Sequence, residues 1–421
     1  MDTIEKSTRS DRRTFLHTVG LGSVALGAFS RVEHSLAAEG AANAATIPDA
    51  QLGTLFPFIE QTAARSTLEL SFLHERFRDV AAWKGEARSK LRELLRYDPP
   101  RSEPRVEVVE RVDHGDHVRE RLSFNTTPDI RVPAFVLVPK GDKKRWPAVV
   151  ALHDHGGFYL WGKEKIVEAG REHPALTEFK RRSYAGRSWA TELCRRGYVV
   201  IAIDMMFWGE RRMLLAADPQ AWRERETLSA QDVTAFNKAA RDRIPLLATA
   251  LFEAGVTWAG VMFTDDLRTV DYLLTRPDVD PDRIGCCGLS VGGFRSAHLA
   301  GLDARIKAAV VVGWMSSYGA MLRTKLTSIG PMKFIPGLYR YLDLPDVVAM
   351  TAPGGLMVIH GTQDRLFTNE GVREAFDKIG KVYAKAGVPD RFEGVTYDGP
   401  HEFNAAMQDR AFAWLDRWLK A

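Results

Sequence analysis

The sequence predicts an α/β protein: a mostly parallel, doubly wound sheet that is preceded by antiparallel strands and a helical extension. From residue 148 onwards, six short and almost uniformly apolar runs are separated by segments long enough for crossover helices, which is typical of parallel strands buried on both faces. Before them, three segments alternate apolar and polar residues, which is typical of antiparallel strands. The antiparallel strands are expected at 106–112, 118–124 and 132–138, and the parallel strands at 148–152, 199–203, 284–287, 308–312, 356–359 and 392–396.

The first 37 residues have the pattern of an export signal. Arg12 and Arg13 precede an apolar stretch at 19–29, and Ser35-Leu36-Ala37 offers a small-residue cleavage site. The apolar stretch is shorter than the roughly 20 residues that span a bilayer. We therefore expect residues 1–37 to be a twin-arginine signal peptide and the product to be periplasmic or secreted, without stable membrane insertion. The alternative is a disordered cytoplasmic tail.

The rest of the chain is expected to form one catalytic domain with an N-terminal extension. Residues 38–104 are expected to be a linker and packing helices, because apolar residues recur at helical spacing until Pro99-Pro100. Residues 105–421 are expected to be the catalytic domain. Within it, the gap between two predicted strands exceeds what one crossover needs, so 209–245 is a candidate lid or insertion and 246–274 is expected to be helical.

The composition excludes several classes of protein. With 45% apolar and 27% charged residues, the chain is not of the disordered type. A formal net charge of +4 with scattered basic residues gives no reason to expect a nucleic-acid partner. Three cysteines are too few for a disulfide framework. Cys286 and Cys287 are either small buried side chains or a vicinal redox pair, and the sequence leaves the oligomeric state open.

A strand-turn-helix motif is the chemical centre of the sequence. Gly288-Leu289-Ser290-Val291-Gly292 follows the strand predicted at 284–287 and precedes apolar residues at helical spacing. Such a turn holds a serine nucleophile in a strained, open conformation, and a side chain at Gly288 or Gly292 would collide across the bend. Because such five-residue matches also arise by chance, the surrounding sequence has to support the motif.

Two residues that could activate Ser290 follow it in the order acid, then histidine. Asp364 lies on the loop after the strand at 356–359, and His401 lies on the loop after the last strand. A serine hydroxyl needs a base within hydrogen-bond reach and a group that orients the base. Ser290, His401 and Asp364 are therefore the candidate catalytic residues. Asp398 and Asp204 are the alternative acids, and a buried structural role is the alternative for His401.

Backbone N–H groups near Ser290 are the expected oxyanion hole. One is the N–H of Val291, directly after the nucleophile. The second is expected from the loop after the strand at 148–152, with His155 first and Gly156 next. His153 and His155 could instead bind a metal, but no third ligand stands at metal-site spacing. We therefore expect no metal at this loop.

Large side chains follow three of the predicted strands at the edge where Ser290 is expected. Because the carboxyl ends of parallel strands meet at one edge, they predict a mostly apolar pocket suited to a sugar ring or an aryl group. The alternative is that they only pack beneath a lid. Arg211 either contacts substrate or, with Glu210, braces its loop through an ion pair. The candidate pocket residues are Phe158, Tyr159, Trp161, Phe207, Trp208, Arg211 and Trp314.

Together these motifs resemble the bacterial α/β-hydrolases of the dienelactone hydrolase and acetyl xylan esterase-like group. The resemblance covers about residues 50–421 and rests on 152–157, 204–211, 288–293, 361–364 and 398–401. It implies an α/β-hydrolase fold and a cofactor-free serine carboxylester hydrolase acting on a small-molecule or carbohydrate ester. Dienelactone hydrolases proper carry a cysteine nucleophile, so Ser290 points towards the esterases. The alternatives are an oligopeptidase-like serine peptidase and a non-catalytic binding protein on a hydrolase scaffold.

Overall fold

In the computed structural model, which describes residues 47–225 and 227–420, nine strands form one mixed sheet. The signal peptide predicted at 1–37 and the start of the predicted linker lie outside the described residues. The strands are β1 (Glu107–Asp113), β2 (His117–Asn125), β3 (Arg131–Pro139), β4 (Trp146–Leu152), β5 (Val199–Ile203), β6 (Val279–Leu289), β7 (Ile306–Val312), β8 (Gly355–Gly361) and β9 (Phe392–Tyr397).

The strand order is β1-β2-β3-β5-β4-β6-β7-β8-β9. The pairs from β1 to β5 are antiparallel, and all pairs from β5 through β4 to β9 are parallel. The carboxyl ends of the six parallel strands therefore meet at one edge, as the apolar runs predict. All nine predicted strands are present, and the predicted fold class is confirmed.

Strand β6 begins earlier than its apolar run predicts. Val279 pairs with Trp146 at the start of β4, so the strand extends back through polar residues before it reaches Ile284. Pairing with a neighbouring strand, which the hydrophobic pattern does not record, sets this boundary.

Twelve α-helices accompany the sheet within the described part of the chain. They are α1 (Phe56–Ala64), α2 (Val80–Leu95), α3 (Pro174–Tyr184), α4 (Trp189–Arg195), α5 (Ala230–Glu253), α6 (Trp258–Thr275), α7 (Val291–Leu302), α8 (Tyr318–Met321), α9 (Leu338–Tyr341), α10 (Leu344–Ala349), α11 (Asn369–Lys385) and α12 (Ala405–Leu419).

The helical stretch predicted at 246–274 is two helices with different boundaries. Helix α5 begins at Ala230, because Ser229 and Asp232 form a reciprocal capping box there. Gly255, with φ +81°, lies in the break between α5 and α6, a conformation that glycine adopts without steric cost. The candidate lid at 209–245 therefore contains the first four turns of α5 as well as loop.

Two hydrophobic layers cover the two faces of the sheet. One contains Trp83 and Leu91 of α2 with α6, α7 and α10, and the other contains α3, α4 and α12. Cys286 faces the first layer and Cys287 the second, because successive strand residues point to opposite faces. The two thiols therefore do not face each other. Of the N-terminal helices, α2 shares the core of the sheet.

Among the described residues, no single helix is long and apolar enough to cross a membrane. Helices α5 and α6 meet that test only as a pair, with a bend of 84° between them.

The tightest backbone approach in the fold predicts a stability difference between two glycine substitutions. A Cβ at Gly292 would overlap the carbonyl oxygen of Leu152, whereas nothing lies within 4 Å of a Cβ at Gly85 in α2. We expect Gly292→Ala to lower the free energy of unfolding by about 1–3 kcal/mol through overpacking. Gly85→Ala should raise it by about 0.5–1 kcal/mol through helix propensity. Urea unfolding followed by circular dichroism measures both, and equal shifts would contradict the packing argument.

Candidate active site

Ser290 occupies a strained turn between β6 and α7. Its φ of +61° and ψ of −119° are unfavourable for a residue with a side chain, and its N–H donates to the carbonyl of Val312 at 2.8 Å. A Cβ at Gly288 would lie 2.5 Å from the Leu152 oxygen. The two glycines of the motif are thus required by contact with the end of β4, and the serine stands where β4, β6 and β7 end together.

His401 and Asp364 lie on the loops after β9 and β8, and they contact each other. The Nδ1 of His401 is 2.5 Å from Oδ2 of Asp364, whose carboxylate is 5% exposed. The second carboxylate oxygen of Asp364 accepts the N–H of Leu366 at 2.9 Å. An imidazole that donates from Nδ1 to a carboxylate keeps Nε2 as an acceptor. In the neutral tautomer that donates to Asp364, His401 therefore has Nε2 free to accept a proton.

Gly313 connects the imidazole to the serine turn. A Cβ at Gly313 would lie 2.9 Å from Cε1 of His401, so the ring lies against this backbone. Gly313 directly follows Val312, whose carbonyl accepts the N–H of Ser290. The His401 ring is therefore held beside the residue that anchors Ser290.

The two alternative acids have other partners. Asp398 is exposed and accepts hydrogen bonds from Thr362 Oγ1 and Gln363 Nε2, at 3.2 Å and 2.9 Å, which makes it a turn residue. Asp204 is fully buried and accepts from Lys163 Nζ at 2.7 Å. Asp364 is the carboxylate that the structure places on His401.

A buried lysine orients the loop that follows β4. The ammonium of Lys165 donates to the carbonyls of Asp154 and His155, at 3.0 Å and 3.1 Å. In a trans peptide the N–H points away from the C=O, so the N–H groups of His155 and Gly156 point away from Lys165. Neither has a backbone or side-chain acceptor among the described residues, and the same holds for Val291. Burial lowers the pKa of Lys165 to about 8, although Asp154 opposes the shift.

The two histidines of this loop are occupied by backbone hydrogen bonds. His153 Nδ1 pairs with the carbonyl of Asp154 at 2.9 Å, and its Nε2 accepts the N–H of Met205 at 3.2 Å. His155 Nδ1 accepts the N–H of Gly157 at 2.9 Å. Burial, with the nearby lysines as a second cause, holds the pKa of both imidazoles well below the usual value. The pair does not form a shared ligand set.

The predicted pocket aromatics form contacts mainly with one another. Tyr159 packs on Phe207 and Trp208, with ring centroids 5.7 Å and 5.0 Å apart. Phe158 stacks on Trp161 at 4.9 Å. With the exception of the half-buried Phe158, these rings are at most 5% exposed. They therefore pack beneath the loop that follows β4 and offer little exposed surface to a substrate.

Trp314, the pocket aromatic that follows β7, lies at the serine turn. Its ring packs on Phe294, one turn after Ser290 in α7, with the centroids 5.3 Å apart. A Cβ at Gly293 would lie 3.0 Å from the Cβ of Trp314. Trp314 therefore lies against the first turn of α7, which follows Ser290.

Arg211 and Glu210 are both held by ion pairs, but not with each other. Arg211 donates to Asp265 at 2.8 Å and to the carbonyl of Asp204 at 3.1 Å. Glu210 accepts from Lys163 at 2.6 Å and from Arg121 at 3.0 Å. The structure thus gives both residues the loop-bracing role.

Lys163 is the centre of a buried charge cluster that the sequence patterns do not reveal. Its ammonium lies 2.7 Å from Asp204, 2.6 Å from Glu210 and 3.4 Å from Glu164. Burial alone would lower the pKa of Lys163, but these three carboxylates raise it above its ordinary value. Within the described part of the chain, these three carboxylates are also close enough to one another to share a metal ion. The ammonium of Lys163 lies among them and makes an ion pair with each.

A cavity of about 540 Å³ opens beside Trp314 and Phe294. Its other wall is the segment from Leu326 to Leu344, which includes α9 and the half-buried Lys333. The sequence prediction did not identify this wall. The available signal was the long gap between β7 and β8, with a lysine among apolar residues at 329–335.

A mostly parallel sheet with a strained serine turn, followed by an acid loop and a histidine loop, defines an α/β-hydrolase fold. The chain belongs to the abhydrolase family, whose family model matches residues 58–409. The resemblance proposed from the motifs is thereby confirmed at the level of the α/β-hydrolases.

Relatives of known sequence or structure agree with this assignment. "Putative hydrolase YtaP" of Bacillus subtilis strain 168 is 28% identical over 337 residues, which are 80% of this chain and 100% of that protein. The crystal structure of a putative acetyl xylan esterase from Bacteroides fragilis is 20% identical, with a TM-score of 0.62 and coverage of 81% of this chain and 82% of that chain. A glucuronoyl esterase from Solibacter usitatus is 13% identical, with a TM-score of 0.57 and coverage of 84% and 98%. At these identities the two solved structures establish similarity of fold.

The Lys163 cluster predicts a large loss of stability when its cation is removed. Lys163→Met keeps much of the side-chain volume but leaves Asp204 buried without its counter-ion, which typically costs about 3–5 kcal/mol. Urea unfolding should show a matching decrease in the free energy of unfolding. Lys144→Met is the matched control, because Lys144 is exposed and forms no ion pair with any described residue. A decrease no larger than that of the control would contradict the structural role of the cluster.

Proposed function

We propose that the protein is a serine esterase with Ser290 as nucleophile, His401 as general base and acid, and Asp364 as the group that orients His401. The observation that carries the proposal is the position of the imidazole. It is hydrogen-bonded to Asp364 at 2.5 Å and rests on Gly313, next to the carbonyl that anchors the strained Ser290.

The reaction follows from the atoms available at this site. The Oγ of Ser290 attacks the ester carbonyl carbon while Nε2 of His401 takes the hydroxyl proton. When the tetrahedral intermediate collapses, the imidazolium gives this proton to the leaving alkoxide and an acyl-enzyme remains. Water then repeats the attack with His401 as base and releases the acid. Asp364 stabilises the positive charge on His401 in both halves, and the reaction needs no cofactor.

The oxyanion of the tetrahedral intermediate needs donors that are already in place. The N–H of Val291 and the N–H groups of His155 and Gly156 support this role, since none has an acceptor among the described residues. Lys165 holds the peptide planes of the second pair through two carbonyls. Fixed donors of this kind lower the barrier without reorganisation during the reaction.

We propose a compact ester as substrate, with acetylated or otherwise esterified carbohydrate as the leading candidate. Support comes from the abhydrolase family and from the names of the two solved esterases of similar fold. The apolar wall beside Trp314 suits the face of a sugar ring. The cavity volume of about 540 Å³ is within the range of small-molecule sites.

We further propose that residues 1–37 direct export by the twin-arginine route, which would deliver the enzyme to extracellular esters. Arg12 and Arg13 before a short apolar stretch support this. N-terminal sequencing of the protein recovered from the periplasm or medium tests it: the mature chain should begin near residue 38, and Arg12→Lys/Arg13→Lys should retain the precursor inside the cell.

Substitution of the nucleophile tests the proposed activity. Ser290→Ala should reduce kcat for p-nitrophenyl acetate by about 10⁴-fold or more, because no other group can form the acyl-enzyme. Wild-type protein should also react with a fluorophosphonate probe, and the variant should not.

An unchanged rate in Ser290→Ala would refute the nucleophile, and an inert wild-type protein would favour a binding protein. Faster turnover of peptide anilides than of acetyl esters would favour the peptidase.

Substitution of two neighbouring aspartates tests which carboxylate orients His401. Asp364→Asn should lower kcat by about 10⁴-fold, because the amide no longer fixes the tautomer of His401 or balances its charge. Asp398→Asn should stay close to wild type, since Asp398 faces solvent and, within the described part of the chain, bonds only to Thr362 and Gln363. Steady-state kinetics on p-nitrophenyl acetate compares them. The reverse result would assign the role to Asp398.

A further inference from the structure

The cavity beside the serine turn contains one charged side chain that no described residue pairs with. Three charged residues line it: Lys333, Arg340 and Asp343. Arg340 pairs with Glu69 at 3.1 Å, and Asp343 caps α10 and accepts the N–H of Tyr318 at 2.9 Å. No described residue provides Lys333 with a carboxylate within 4.0 Å or with a hydrogen-bond acceptor.

The ammonium of Lys333 lies over the face of Trp314. Its Nζ is 5.1 Å from the ring centroid, and Trp314 packs against the first turn of α7 beside Ser290. Burial lowers the pKa of Lys333 to about 8, so at neutral pH the side chain is still mostly protonated. A half-buried cation held by an aromatic face and lacking an anion is costly unless something else supplies that anion.

A second cation lies against the loop after β4. A Cβ at Gly157 would be 3.5 Å from Nη2 of Arg241 in α5, and Arg241 also forms no ion pair with any described residue. After burial, the charges of Lys333 and Arg241 both contribute to the low pKa of His155. The two cations therefore act on the same loop, one from the cavity wall and one from α5.

Among the described residues, neither Lys333 nor Arg241 has a carboxylate within 4.0 Å, since Asp343 caps α10 and Asp364 is bonded to His401. Neutral sugar hydroxyls would leave the desolvated charge of Lys333 without an anion. A carboxylate, in contrast, gains a charge-assisted hydrogen bond from an ammonium that is already desolvated.

We propose that Lys333, assisted by Arg241, binds an ionised carboxylate of the substrate, and that the preferred ester therefore carries a second, free carboxylate. This inference rests on the esterase function proposed above and narrows its substrate class. The carboxylate can belong to the alcohol part of the ester or to the acyl part, and the two cases are separable by experiment.

Two matched substrate pairs test the inference. The first is 4-acetoxybenzoate against methyl 4-acetoxybenzoate, with the charge on the alcohol side. The second is monophenyl glutarate against methyl phenyl glutarate, with the charge on the acyl side. For each pair, kcat/KM of the anion divided by that of the neutral ester is measured for wild type, Lys333→Met, Arg241→Met and the exposed control Lys144→Met.

At least one pair should favour the anion in the wild-type enzyme. Lys333→Met should lower that ratio by about tenfold or more, as expected for loss of a hydrogen bond to a charged group, with the neutral ester little affected. Arg241→Met should lower it less, Lys333→Arg should restore part of it, and Lys144→Met should leave it unchanged. The pair that responds identifies the position of the carboxylate.

Failure of the carboxylate site can be distinguished from failure of the esterase proposal. If both pairs are hydrolysed but the ratio is the same in wild type and Lys333→Met, the carboxylate site is refuted while the esterase proposal stands. If Lys333→Met does not fold, the same comparison with Arg241→Met, at an exposed position on α5, decides in its place. If no ester of either pair is hydrolysed by the wild-type enzyme, the esterase proposal itself fails.

Discussion

The contact between the carbonyl of Leu152 and the glycines of the serine turn is the constraint on which the site depends. Gly288 and Gly292 lie so close to this oxygen that neither can carry a side chain. The contact brings the end of β4 against the start of α7. It thereby places the N–H of Val291 beside the loop that contains His155 and Gly156, and it leaves Ser290 in a strained conformation at the edge of the sheet.

Buried cations link the surrounding loops through hydrogen bonds and ion pairs. Lys165 donates hydrogen bonds to two carbonyls of the loop after β4. Lys163 pairs both with Asp204, directly after β5, and with Glu210, in the 3₁₀ turn at Gly209–Arg211. In each case several acceptors surround one buried ammonium. Their hydrogen bonds offset the loss of its hydration only when the acceptors are well placed. Lys333 differs from both, because no described residue supplies it with an acceptor. That contrast is what distinguishes a structural lysine from one that is available to a ligand.

The aromatic residues illustrate where pattern and packing differ. Their positions after strands correctly indicate the edge of the sheet, but most are buried against one another behind the loop after β4. Trp314 is the exception, because it borders both the first turn of α7 after Ser290 and the cavity. The segment from Leu326 to Leu344 supplies the other wall, although its short helices leave only a weak periodic signal.

The sequence by itself determined the sheet, the turn around Ser290 and the order of Asp364 and His401, because apolar runs, glycines and loops after strands are local features. Only the tertiary structure decided that Asp364, and not Asp398 or Asp204, contacts His401 and that Arg211 pairs with Asp265. It also decided that Lys333 lines a cavity in which no described residue pairs with its charge. Contacts between residues far apart in the chain depend on how loops pack, and side-chain periodicity carries no information about a charge that is buried beside another element.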